Sequence, residues 1–145
     1  MDRAALDWAI ANGLDHGGWC PKNRRAEDGR LHDRYRLRET RQIAYPIRTR
    51  LNVEMADATL ILYRPPMGSG TGLTSRIVAE VGRPYITIRL DRDDDDELVQ
   101  FILQHRPMTL NIAGPRESGS PGIYLDTIAF LDRTLGSLAP DLPDN

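Results

Sequence analysis

Three short apolar runs, "ATLILY" from Ala58, "PYITIRL" from Pro84 and "MTLNIAG" from Met108, constrain the fold more than any other feature. Each is too short for a buried helix, and Ile86, Thr87 and Ile88 give the second the β-branched character of a strand. Each is followed, after a polar or glycine-containing corner, by a stretch with helical spacing. Strands that alternate with helices over short connections form βαβ units, so a parallel sheet with helices on both faces is expected. In such sheets ligands bind beyond the carboxyl ends of the strands, near the point where the chain reverses its order across the sheet.

The intervening segments complete the alternation. "DRAALDWAIANG" places Ala5, Trp8 and Ala9 at helical spacing, with Asn12-Gly13 as a stop. "GGWC" reads as a short extended segment closed by Pro21, and residues 21 to 41 as irregular, with a strand between Tyr35 and Thr40. "AYPIRTRLNVEMA" reads as a helix with Pro46 near its first turn. A helix is expected from Thr71 to Val81, ending at Gly82, and another from Ile123 to Leu135 with Tyr124, Ile128, Leu131 and Leu135 on one face. "DRDDDDE" precedes the helix carrying Leu98, Phe101 and Ile102, where acidic groups face the positive end of the helix dipole. That reading is preferred to a metal site, because adjacent aspartates cannot all point at one ion, and no metal ligands are assigned.

At 145 residues the chain is the size of one domain. A single domain is expected over residues 1–138, with a flexible tail over 139–145. No apolar run approaches the roughly 20 residues that span a bilayer. Cys20 is the one cysteine, which leaves no partner for an internal disulfide and points to a cytoplasmic location. No histidine stands at an obvious partner spacing, so a structural thiol is preferred to a nucleophile.

Net charge is −2 but uneven: residues 22 to 50 hold ten Lys/Arg against four Asp/Glu, +6, which leaves −8 for the rest. Two readings stay open, a basic face for an anion such as a phosphate, and a solvated loop. Nucleic acid is not an expected partner, because the basic segment lacks interleaved aromatics.

Two corners carry candidate chemistry. In "MGSGTGLT", Gly68, Gly70 and Gly72 are expected to take positive φ and approach a ligand, while Ser69, Thr71 and Thr74 offer hydroxyls near a helix N-terminus. The corner is not a P-loop and misses the dinucleotide fingerprint spacing, so an anion cradle and a plain turn both remain. In "LNIAGPRESGSPGIY", Asn111 ends a strand, Gly114 bends the chain, and Arg116, Glu117 and Ser118 add a cationic fork, an acceptor and a hydroxyl. An exposed ion pair between Arg116 and Glu117 is the plainer alternative. A third group, "GGWCPKNRRAEDG", offers the Trp19 face with Lys22, Arg24 and Arg25.

Together "DRAALDWAIANGLDHGGWCPKNRRAEDG", "TRLNVEMADATLIL", "GSGTGLT" and "LNIAGPRESGSPGIY" resemble the putative molybdenum cofactor carrier family, from Asp2 to about Leu135. That family lies within the Rossmann-like superfamily of lysine-decarboxylase-like, nucleotide-binding proteins. The resemblance implies a Rossmann-like three-layer α/β/α domain and a cytoplasmic, bacterial protein. Its ligand would be the molybdenum cofactor, a pterin with a terminal phosphate, or a nucleotide. No membrane partner is implied, and self-association is left open.

Two departures stand beside the resemblance. Members usually begin with a strand and a glycine-rich loop, "SGGQTGxD", running into "RAALDWA", whereas here "MDRAALD" begins the sequence. A sheet missing its first strand, through a misassigned start or a fragment, is therefore expected. Asn23 stands where the family usually has glycine, and asparagine tolerates positive φ better than most residues. Nucleotide-hydrolysing relatives carry "PGGxGTxxE", whose glutamate takes part in chemistry, and "MGSGTGLTSR" lacks that acid.

The expectation is thus a binding or carrier protein rather than an enzyme. Gly70, Thr71, Gly72 and Thr74 would hold a phosphate; Arg116 and Lys22, with Arg24 or Arg25, would neutralise it; Asn111 and Glu117 would read a polar ring or ribose. The alternatives are a phosphoribohydrolase-like enzyme with Glu117 as its acid or base, and a non-binding remnant of the fold.

Overall fold

A computed structural model describes residues 2–41, 45–92 and 94–138. The chain opens with α1 (Asp2–Ala11), followed by β1 (Trp19–Cys20), a one-turn 3-10 helix (Lys22–Arg24), β2 (Arg25–Ala26), β3 (Gly29–Arg30) and β4 (Arg38–Glu39). Then come α2 (Tyr45–Met55), β5 (Ala58–Tyr63), α3 (Ser69–Val81), β6 (Tyr85–Arg89), α4 (Asp96–His105), β7 (Leu110–Ala113) and α5 (Ile123–Leu135). The expected tail, 139–145, lies outside the described residues, as does Asp93 of the acidic run.

The main sheet has the order β6-β5-β7, all parallel, with Leu60 of β5 opposite Ile86 on one side and Ile112 on the other. From Ala58 to Leu62, β5 is buried at every position, as a central strand covered on both faces must be. Its alternation divides two helical layers. Ala58, Leu60 and Leu62 pack with Trp8, Leu98, Phe101, Phe130 and Leu131, from α1, α4 and α5. Ile61 packs on the other side with Val53, Ile77 and Val78, from α2 and α3. This is the expected three-layer α/β/α arrangement. The chain leaves β5 through α3 for β6, then crosses back through α4 to β7, so order reverses between the carboxyl ends of β5 and β7.

Helix ends obey local chemistry. Gly82, at φ 77°, closes α3 and returns its N–H to Val78, which is the expected stop. Asp96 and Glu97 occupy the first turn of α4, while Asp95 meets Arg133 at 2.9 Å and Asp91 meets Arg89 at 2.7 Å. Among the described residues no group of His, Cys, Asp and Glu is arranged for a metal ion. None of their helices is long and apolar enough to cross a membrane.

The segment between α1 and α2 forms a separate small layer. β1 pairs with β4 in parallel, and β2 with β3 as an antiparallel hairpin. The strand expected from Tyr35 to Thr40 shrinks to Arg38–Glu39 because Tyr35 turns inward, 3% exposed, and donates its hydroxyl to Asp7 at 2.7 Å. The local excess of positive charge meets acids elsewhere: Arg34 pairs with Asp7 of α1, Arg48 with Asp2, and Arg50 with Glu80 of α3. Much of the basic run is therefore a set of ties to an acidic remainder.

Candidate functional site

Where β5 and β7 release the chain in different directions, a cavity of 2390 Å³ opens. A site for one small ligand measures about 300–1,000 Å³, so this space is more than a ligand crevice. At its mouth stand the N-terminus of α3 on one side and the segment from Gly114 to Ser120 on the other.

The glycine corner differs from expectation in one respect. Helix α3 begins at Ser69 rather than Thr71, so Gly70 and Gly72 are helical and Gly68 is the residue before the helix, extended at φ −72° and ψ 166°. Positive φ among the described glycines falls at 13, 18, 29, 82 and 122, and not at 68, 70 or 72. Neither backbone conformation nor packing within the chain requires glycine here: a Cβ at any of the three would meet nothing within 4 Å. The opening turn of α3 is thus bare, and Gly68 supplies no side-chain cap. The first N–H groups of a helix have no intrahelical carbonyl, and here they border the cavity.

Thr71 is the third residue of that helix, 3% exposed, and its Oγ1 is buried without a hydrogen-bond partner. Other helical threonines donate to the carbonyl four residues back: Thr74 to Gly70 at 3.3 Å, Thr127 to Ile123 and Thr134 to Phe130 at 2.7 Å each. For Thr71 that residue is Met67, outside the helix. Thr71 lines the cavity with Ser69 and Gly70, so an unpaired buried hydroxyl and uncapped helix N–H groups come together there, a donor set that suits an anion. Thr74 has its hydrogen engaged and is left as an acceptor.

The second corner is built differently. Glu117 accepts the N–H of Gly122 at 2.5 Å and of Tyr124 at 3.0 Å, which caps the N-terminus of α5. Those two backbone bonds, Tyr124 first, hold its carboxyl below the usual range. Ser118 donates to Glu27 of the β2–β3 turn, joining this corner to the basic layer. Asn111 donates to Thr59 of β5 at 3.4 Å, and Arg116 is exposed.

Ser69, Gly68, Gly70, Thr71, Thr74, Asn111, Gly114, Arg116, Glu117, Ser118 and Arg25 therefore border one cavity. Gly72, Lys22 and Arg24 are not on its wall. Arg24 points into its own loop, donating to the carbonyls of His32 and Tyr35 at 2.8 Å, Leu31 at 3.3 Å and Leu37 at 3.4 Å. Cys20 is 2% exposed, and burial pushes its thiol pKa up, as suits a structural cysteine.

Arg64 was not among the expected site residues, although it immediately follows the "ATLILY" strand. It borders the mouth, donating to the carbonyl of Pro121 at 2.8 Å and pairing with Asp126 of α5. Its place just beyond a strand's carboxyl end was the available signal.

The sequence model of the circularly permutated YpsA SLOG family matches residues 1–135. The crystal structure of a Putative molybdenum carrier protein from Syntrophus aciditrophicus SB is similar, at 38% identity. That match covers 92% of this chain and 87% of the other, with a TM-score of 0.86. No curated protein matches the chain.

Proposed function

The chain belongs to the circularly permutated YpsA SLOG family, and on that footing we propose that it binds and carries a phosphate-bearing small molecule, the molybdenum cofactor first and a nucleotide second. The phosphate sits at the N-terminus of α3. One observation carries this reading: the buried Thr71 hydroxyl has no hydrogen-bond partner, and Thr71 is among the residues that line the cavity. The similarity to a Putative molybdenum carrier protein supports the choice of ligand.

The two helix N-termini at the mouth make the logic concrete. That of α5 is already filled by an anion of the protein itself, the Glu117 carboxylate. That of α3 has no capping side chain. A phosphate there gains N–H bonds, the Thr71 hydroxyl and the helix dipole together, and Arg116 and Arg25 border the same space. The fit is to the phosphate end of the cofactor, and Asn111, which borders the same cavity, would meet polar ring atoms.

The hydrolytic alternative is not favoured. It needs the Glu117 carboxylate to reach a substrate, and its two oxygens are engaged by the N–H groups of Gly122 and Tyr124.

Thermal unfolding and equilibrium dialysis with inorganic phosphate, AMP and the metal-free pterin phosphate test the proposal. At least one phosphorylated probe is expected to raise the melting temperature. Thr71→Val should weaken that binding about tenfold, the loss of one hydrogen bond to a charged group. If no probe shifts the transition, or Thr71→Val binds as wild type does, the reading fails.

A further inference from the structure

β6 ends the main sheet. Tyr85 to Arg89 pair with Thr59 to Tyr63 of β5, and among the described residues no strand pairs with the other edge of β6. The Pro84 carbonyl accepts the N–H of Thr59 at 3.0 Å, and the Leu90 N–H donates to the Tyr63 carbonyl at 2.9 Å. The even-numbered positions therefore face β5, and by alternation Tyr85, Thr87 and Arg89 turn their N–H and C=O groups outward. Their side chains share one face of the sheet, opposite Ile86 and Ile88, which pack into the core with Leu98 and Phe101 of α4.

Open edges are usually blunted by a bulge, a proline, a charge or a covering segment. Here the register against β5 is unbroken from Tyr85 to Arg89, which leaves no bulge, and Pro84 stands before the strand. Arg89, the one charge among the outward residues, is matched by Asp91 at 2.7 Å. Tyr85 is 46% exposed, so the edge stands open at its start.

We propose that β6 pairs edge to edge with β6 of a second copy of this chain, antiparallel about a twofold axis through Thr87. Outward residues that lie opposite each other in an antiparallel pair exchange both backbone bonds. With Thr87 on the axis, Tyr85 meets Arg89 of the second copy, Thr87 meets Thr87, and every outward group of the strand finds a partner. A slip of two residues either way leaves Tyr85 or Arg89 beyond the end of the facing strand.

The side chains suit the same register. The Arg89 guanidinium comes opposite the Tyr85 ring, a cation beside an aromatic face. Just outside the strand Arg83 comes opposite Asp91, so the cation that opens one edge meets the anion that closes the other. Arg83 holds the carbonyls of Glu54 and Ala56 through Nη1, and its fork carries further donors. Asp91 accepts two bonds from Arg89, and a carboxylate can accept more. Complementarity of a surface to itself is what a twofold contact requires, which selects a second copy over an unrelated strand. No residue from Arg83 to Asp91 lines the cavity, so the two sheets become continuous while both ligand crevices stay open.

Sedimentation equilibrium of the 145-residue chain from about 1 to 100 μM tests the proposal, with a reversible dimer expected. Asp91→Arg sets like charges opposite each other and should weaken the dimer about tenfold or more. Thr87→Pro removes an outward N–H and none that faces β5, and should weaken it at least as much. In amide exchange followed by NMR, Tyr85, Thr87 and Arg89 should exchange about tenfold slower in the wild-type dimer than in Asp91→Arg, with Ile86 and Ile88 little changed. A monomer at every concentration overturns the proposal, and so does a dimer that either variant leaves at wild-type strength. No ligand enters these measurements, so the proposal can fail while phosphate binding stands.

Discussion

Tyr124 donates its phenolic hydrogen to Asp7 at 2.5 Å, tying the first turn of α5 to α1. Tyr35 uses the other oxygen of the same carboxylate at 2.7 Å, so three parts of the chain share one acid. The bond to Asp7, with burial second, pushes the Tyr124 pKa up to about 12. A folded-state value above the unfolded one means that the contribution to stability is complete below about pH 10 and is lost as pH rises through about 12. Absorbance titration of the tyrosines should show a late-ionising phenol that Tyr124→Phe removes. The same substitution should lower stability by about 1 kcal/mol at neutral pH.

Glu117 gives the opposite sign. Its pKa lies below the usual value because Tyr124 and Gly122 donate backbone N–H groups to it. The stabilisation is therefore complete above the unfolded carboxyl range, near pH 4.5, and is lost as pH falls through the folded value. Glu117→Gln should lower the melting temperature at pH 7 and shrink its fall below pH 4.5. A neutral-pH melting temperature equal to wild type would remove the capping role.

Thr71→Val is expected to leave stability unchanged or raise it by up to about 1 kcal/mol, because it removes a buried hydroxyl without a partner. Denaturant unfolding without added ligand checks this. A loss of more than about 1 kcal/mol would mean that the hydroxyl is structural.

The layers were legible in the sequence because they rest on hydrophobic spacing. The bounds of α5, Ile123 to Leu135, and of β5, Ala58 to Tyr63, match their periodicity. Helix α3 begins two residues before the Thr71 start that spacing suggests, since Ser69-Gly70-Thr71-Gly72 has poor intrinsic helix propensity and its helicity is imposed by the chain that follows. The unpaired state of Thr71 is not legible in the sequence, because it depends on which residue lies four positions back and on where the helix starts. The loop bonds of Arg24, which the sequence offers beside Arg25 as an anion contact, are not legible either, because bonds from a side chain to distant carbonyls leave no periodic trace. The basic run is explained only when Asp2, Asp7 and Glu80 are brought against it.

Asn23 sits at φ 66° and ψ 19°, in the left-handed region. The tolerance of asparagine for this conformation accounts for its place in the turn. Asn23→Ala is expected to cost about 1 kcal/mol and Asn23→Gly only a few tenths, as seen in urea unfolding. Equal losses for both would show that the side chain, not the backbone angle, matters.

Arg24 follows at φ 53°, and its side chain, 11% exposed, spreads over four carbonyls between Leu31 and Leu37. A planar guanidinium offers five donors in a fixed fork, whereas an ammonium offers three on a flexible stem. Lysine cannot reach four divergent acceptors at once, so Arg24→Lys leaves some of those carbonyls without a partner. The expected loss is about 1–3 kcal/mol. It should appear as faster amide exchange from His32 to Leu37, with the β5 and β6 amides little affected, because the main sheet does not depend on this loop. If Arg24→Lys instead weakened phosphate binding and left that exchange unchanged, Arg24 would be a ligand contact after all.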